Sequence, residues 1–147
     1  MLVLQVLLYS CETCKMRKGE EKKLDIFRIK CLRRMFCIRW QQHVSNKEVL
    51  EMAGTDPTSE EVRRKRWCWI GHVLRKEVNN DCAVTLGWKL EGKRSRGRPK
   101  TTWCHTVEKE RDTQGWNTWT RARQPANNCQ HWREDVRALC TSWHEEN

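Results

Sequence analysis

Apolar residues recur in this chain at three- and four-residue steps almost from end to end. Nowhere do apolar and polar residues alternate over a useful length. That periodicity fits the 3.6-residue turn of a helix and excludes the two-residue repeat of a half-buried strand. Leu24, Phe27, Cys31, Met35 and Ile38 form one series, with Lys22, Lys23, Arg28, Arg33 and Arg34 opposite, and the spacing predicts a helix that buries its apolar side. Val62, Arg66, Trp69, Ile70 and Val73 form a second stripe. Cys129, Trp132, Val136, Leu139, Cys140 and Trp143 form a third, on a helix running from about Asn127 to Trp143.

End signals divide the pattern. Ser45 and Glu48 make a capping box, and Gly54 stands where a left-handed residue would close the helix they open. Thr58 or Ser59 starts the next helix, with Glu60 and Glu61 in its first turn, where acidic groups favour the helix dipole. From Val78 to Pro99 the periodicity fails, and Gly87, Gly92 and Gly97 mark loop. A helix is expected from Pro99 to about Arg111, through Trp103 and Val107, and one or two turns between Trp116 and Arg123. The fold class is all-α, a loose small helical bundle with a basic, glycine-containing loop around residues 87–99. Four segments follow: 1–14, a basic helical region 15–77, a basic linker 78–99 and a C-terminal helical region 100–147.

The core of such a bundle has to be thin. Apolar residues are 37% of the 147, charged residues 33%, and nine of the twelve aromatics are Trp. Trp supplies large contacts where aliphatic side chains are scarce. No apolar run reaches the ~18 to 20 residues of a membrane span. Residues 1–9 are apolar but lack the cationic start and small-residue cleavage site of a signal peptide, so they read as a buried helix or strand whose packing partner lies outside the chain. Nine cysteines, an odd number scattered through arginine-rich helical sequence, point to reduced thiols in the nucleus or cytoplasm.

Charge is the stronger guide to function. Lysine and arginine exceed acidic residues by 29 to 19. Residues 15–39 carry ten basic and three acidic residues; 61–76 and 89–100 carry six basic and one acidic each; 108–147 carry six basic and seven acidic. Three basic blocks thus precede a nearly neutral tail, the footprint of a nucleic-acid face followed by a packing element. The candidate phosphate contacts are Arg33 and Arg34; Arg63, Arg64, Lys65 and Arg66; and Lys93, Arg94, Arg96, Arg98 and Lys100. Arg96-Gly97-Arg98-Pro99 matches the core of a minor-groove hook, in which two arginines enter the narrow groove of A·T DNA. The plainer alternative is a solvated linker that touches phosphates without reading bases. Trp67 and Trp69 could stack on unpaired bases, but Trp at helical spacing is more often core.

Catalytic equipment is not evident. No G-x-S-x-G, phosphate loop, H-E-x-x-H or adjacent aspartate pair occurs. Cys11 and Cys14 form a C-x-x-C pair, half of a zinc site, but Cys104-His105 and Cys129/His131 have poor spacing for the other half. His72, alone on its helix, reads as structural. No cofactor or metal is expected.

Four ordered motifs now stand together: VLLYSCET at 6–13, RWCWIGHVLR at 66–75, GRPKTTW at 97–103, and WREDV at 132–136 with ALC at 138–140. In this order they resemble the C-terminal region, from the thumb onward, of the endonuclease–reverse transcriptase polyproteins of non-LTR (LINE-like) retrotransposons. The resemblance implies that residues 1–14 are the remnant of a thumb-like element and that the polymerase and nuclease centres lie in a missing upstream part. The implied role is a truncated, non-catalytic piece whose partner is RNA or DNA, held mostly by phosphates, beside the parent polymerase. A stand-alone minor-groove chromatin protein, or a translated relic without function, are the alternatives. Cys14 stands where the family carries Trp, and Ser10 where it carries Gly. Cys68, Cys104, His105 and Gln130 occupy positions more typical of Arg, Lys or another polar residue. Arginine codons decay to Cys, His or Gln by CpG deamination, which suggests a decaying genomic copy as the source of the odd cysteines.

Overall fold

Residues 58–75 hold the best-buried helical stripe in the chain, and the architecture is arranged around it. A computed structural model describes residues 2–77, 80–87 and 102–142. Among these are eight α-helices, a single 3-10 turn and no strand: α1 (Leu2–Leu7), α2 (Lys18–Met35), the turn Trp40–Gln42, α3 (Asn46–Ala53), α4 (Thr58–Arg75), α5 (Asp81–Gly87), α6 (Trp103–Thr113), α7 (Trp119–Ala126) and α8 (Cys129–Ser142). The all-α bundle expected from the periodicity is the fold found. Helix α4 is its axis, packed on α2, α5, α7 and α8.

Several ends form for the expected reasons. Ser45 Oγ accepts from the Glu48 amide at 3.2 Å and Glu48 returns a carboxylate to the Ser45 amide at 3.0 Å, satisfying two orphan donors of α3. Gly54 closes the helix at φ +59°. Helix α6 begins at Trp103, capped by Thr102. The one or two turns expected between Trp116 and Arg123 are α7, and the helix expected from Asn127 is α8. Helix α7 carries Pro125 in its last turn and ends at Ala126, and Asn128 Oδ1 then accepts from the Gln130 amide at 3.0 Å to open α8.

The core joins α4, α5, α6, α7 and α8 through Trp67, Ile70, Val73, Leu74, Leu86, Val107, Ala122, Ala126, Trp132, Val136, Leu139 and Cys140. Trp116 and Trp132 stack at 4.9 Å between centroids, and Trp67 lies tilted at about 6 Å from both. Each such pair adds about 1 kcal/mol beyond its area. The closest approach is at Gly71, where the Trp132 indole lies in the space a Cβ would occupy. Its Nε1 donates to the Trp67 carbonyl at 3.0 Å. Bare backbone at Gly71 is what lets a Trp of α8 reach a carbonyl of α4.

Four expectations are corrected. The fully buried Trp of α4 is Trp67, whereas Trp69 is half-buried against Trp103. Cys129 is exposed, because α8 turns its first residue away from α4. Residues 81–87, expected as loop, form α5, because Asn80 Oδ1 accepts from the Cys82 amide at 3.1 Å and Leu86 reaches the core. Most instructive is α2, which buries no residue. Phe27 and Met35 are exposed, Leu24 and Cys31 are only half-buried, and polar groups share the side turned to α4: Arg28 meets Glu61 at 3.2 Å and Asp25 accepts from the Ser59 amide at 3.0 Å. Ile38 lies beyond the helix end. Trp143 and residues 88–101, which include Trp88 and most of the expected loop, fall outside the described residues.

The N-terminal segment finds part of its partner inside the chain. Leu8 and Cys11 are buried against Val62 of α4, and Trp103 Nε1 donates to the Glu12 carbonyl at 3.0 Å, while Val6 and Tyr9 are exposed. Ser10 sits at φ +55°, a left-handed conformation that glycine adopts freely and other residues reach at a cost of ~1 kcal/mol.

The close approach at Gly71 and the backbone of Ser10 both translate into stability. Gly71→Ala forces the Trp132 ring out of place, at about 3 kcal/mol against a helix-propensity gain of about 1. Denaturant titration should therefore show a net loss of about 2 kcal/mol, while Gly19→Ala, with open space around its Cβ, shows none. Ser10→Gly should raise stability by about 0.5 kcal/mol, the ~1 kcal/mol of relieved backbone cost less roughly 0.5 kcal/mol for the larger unfolded-state entropy of glycine.

Candidate nucleic-acid interface

Counting basic residues along a sequence does not tell which of them face solvent. Helix α4 carries Arg63 to Arg66 on about one turn, so the four side chains point to different sides of the helix. Arg66 points inward: it is 2% exposed, and its Nη1 donates to Glu110 Oε1 at 3.2 Å. Arg63 Nε meets the same oxygen at 3.4 Å. Glu110 Oε2 accepts from Trp67 Nε1 at 2.8 Å. One buried carboxylate of α6 therefore answers two guanidinium groups and an indole of α4. Arg66 is corrected from phosphate contact to core ion pair, because a guanidinium with 2% exposure cannot reach a polyanion, and Arg63 is largely committed in the same way.

Lys65 is half-buried, and Arg64 is exposed with a loose 3.7 Å approach to Asp56. On α2, Arg33 is half-buried, and its Nη2 donates to the Val44 carbonyl at 2.6 Å and to Asn46 Oδ1 at 3.0 Å, tying α2 to the start of α3. Arg34 is exposed. Lys93, Arg94, Arg96, Arg98 and Lys100 lie outside the described residues. Of the expected contacts within the described residues, Arg34 and Arg64 stand fully on the surface.

Beside Arg34, the structure adds two lysines of α2 to the exposed cations. Lys23, Lys30 and Arg34 are all exposed on α2, and the 22 residues between Asp25 and Glu48 hold six Lys or Arg and no Asp or Glu. No ion pair among the described residues engages Lys30, Arg34 or Arg39. The long acid-free stretch was visible in the sequence; Glu110, 43 residues from the Trp67 it bonds, carried no local signal.

Among the described residues no three His, Cys, Asp or Glu side chains come together as a metal site. Cys14 Sγ approaches the Ser10 carbonyl at 3.5 Å, and Cys11 is buried. Burial pushes the Cys140 thiol up to about 12, so it is inert near neutral pH. No helix among the described residues is long and apolar enough to cross a membrane. Compared with known proteins, the chain matches no family model, no curated protein and no solved structure.

Glu21 of α2 sits close to the same ion cluster. Burial pushes its carboxyl up from the ordinary value, and the pull of Arg63 and Arg66 does not cancel that push. A carboxyl raised in the folded state is a cost above its titration range and none below it. Glu21→Gln should therefore stabilise the fold at neutral pH, and the gain should vanish as pH falls through the carboxylate range. Glu110→Gln should do the opposite at neutral pH, losing ~3 kcal/mol by leaving buried cations without their anion. Denaturant midpoints across pH read both.

Proposed function

We propose that this chain is a nucleic-acid-binding region of the kind found at the C-terminal end of non-LTR retrotransposon reverse transcriptases, with no catalytic centre of its own. It holds RNA or DNA through phosphates and without base specificity. The observation that carries the reading is the acid-free stretch between Asp25 and Glu48, whose Lys30, Arg34 and Arg39 are exposed and engaged in no ion pair among the described residues. Exposed cations without carboxylate partners keep their full attraction for a polyanion, and each phosphate they neutralise releases counterions. The basic run 93–100 supplies a second concentration of charge in the sequence. The four ordered motifs support the family, and the absence of adjacent aspartates supports a non-catalytic part.

The stand-alone minor-groove reading is favoured by one feature, Arg96-Gly97-Arg98-Pro99, and the same experiment separates it. Affinity of the full chain is measured by fluorescence anisotropy on A·T-rich and G·C-rich duplexes over a series of salt concentrations. On the proposed reading both duplexes bind equally and affinity falls steeply with salt. Arg96→Ala with Arg98→Ala should then weaken both alike and reduce the log–log salt slope by about 0.9 for each phosphate no longer neutralised. A preference for A·T duplex that disappears in this variant would establish the minor-groove reading instead. Affinity indifferent to salt would overturn both.

A further inference from the structure

Helix α2 meets α4 through Asp25 and Arg28 and leaves an ordered row on its outer side. Lys23, Phe27, Lys30 and Arg34 follow one another at four-, three- and four-residue steps, within about 60° around the axis and about 16 Å along it. All four are exposed, Phe27 to 46%. The helix ends in a turn that returns the Ile38 amide to the Arg33 carbonyl at 2.9 Å, with Cys37 at φ +54°. That turn holds Arg39 and Trp40 just beyond the helix end, and Trp40 is 78% exposed.

A Trp in a chain this short of apolar material belongs in the core, where the other well-buried ones are. An aromatic ring placed in water beside Arg39, within a stretch without any acidic residue, has the composition of a stacking surface for unpaired bases: flat apolar faces for the bases and fixed cations for the phosphates between them. The arrangement does not suit a membrane surface. The exposed apolar residues of α2, Ile26, Phe27 and Met35, are spread over about half the helix circumference, whereas an interfacial helix gathers them on one side.

We infer that the outer face of α2 and the corner after it bind single-stranded nucleic acid, with Phe27 and Trp40 stacking on bases and Lys23, Lys30, Arg34 and Arg39 on phosphates. The inference rests on the nucleic-acid reading above and adds a preference for unpaired strands.

The test compares full-chain affinity for an oligothymidylate, a duplex of the same length and an abasic strand of the same length. The thymidylate should bind tighter than either. Trp40→Ala should lower its affinity about 10-fold and leave the duplex and abasic strands unchanged. Lys30→Glu with Arg34→Glu should weaken all three. Both changes are on the surface, and an unaltered thermal midpoint confirms that each variant folds; a variant that does not fold is replaced by Phe27→Ala, with the same expectation. Equal binding of the three strands, untouched by Trp40→Ala, would overturn the stacking surface and leave phosphate binding standing. No binding of any strand would overturn the function itself. Co-sedimentation with phosphatidylserine vesicles, lost in Trp40→Ala while thymidylate binding persists, would assign the face to an anionic membrane and overturn the inference.

Discussion

The hydrogen bond from Trp132 to the Trp67 carbonyl is the contact on which the bundle depends. It exists only because Gly71, one turn on from Trp67, presents no side chain. The carbonyl already serves the helix ladder, and its second lone pair takes the indole N–H, so a buried donor is satisfied without disturbing α4. Trp67 sends its own N–H to Glu110, which also gathers Arg66 and Arg63. A polar thread thus runs from α8 through α4 to α6 inside the apolar cluster. It explains how a chain with 37% apolar residues closes a core at all: large rings fill the volume, and every buried indole N–H of the thread finds an acceptor.

The parts of this fold that were legible in the sequence are those decided within one or two turns. The Ser45–Glu48 box, the Gly54 terminus, and the Val62, Ile70 and Val73 stripe all depend on near neighbours. Trp67 against Trp69 could not be decided locally. Both lie close to the stripe, and the choice is made by Glu110, which offers the indole of Trp67 an acceptor 43 residues away. Helix α2 misled for a related reason. Its apolar series is real, yet its partner α4 presents Glu61 and the Ser59 amide on that side, so Arg28 and Asp25 turn inward and Phe27 turns out. Periodicity shows that a face exists; the neighbouring element decides whether it is covered.

The basic blocks were legible as charge but not as surface. In a helix, four consecutive cations cannot share a face, so a run such as Arg63 to Arg66 must send some of its members inward. The inward ones require a carboxylate, because an uncompensated buried guanidinium is prohibitively costly. Here the required carboxylate is Glu110, in the nearly neutral tail, so the −1 segment is part of what makes the +5 segment foldable. Cations spaced at seven and four, as in Lys23, Lys30 and Arg34, stay on one side and need no such partner. Spacing, more than number, separates a binding face from a structural ion pair.

That distinction also bears on what the resemblance to retrotransposon proteins can mean. Its most specific motifs, around Trp67 to Gly71 and at Trp132 to Val136, are the two sides of the α4–α8 contact. They are requirements of packing: the glycine gives room, one Trp occupies it, the other supplies the acceptor. The exposed cations of α2 and Trp40 lie in none of the four motifs, so nucleic-acid binding by that face stands on its own charge and exposure. Ser10 shows the same division between packing and surface from the backbone side: its left-handed conformation is one that glycine adopts freely, so the chain accepts a local cost there to seat Leu8 and Cys11 against Val62.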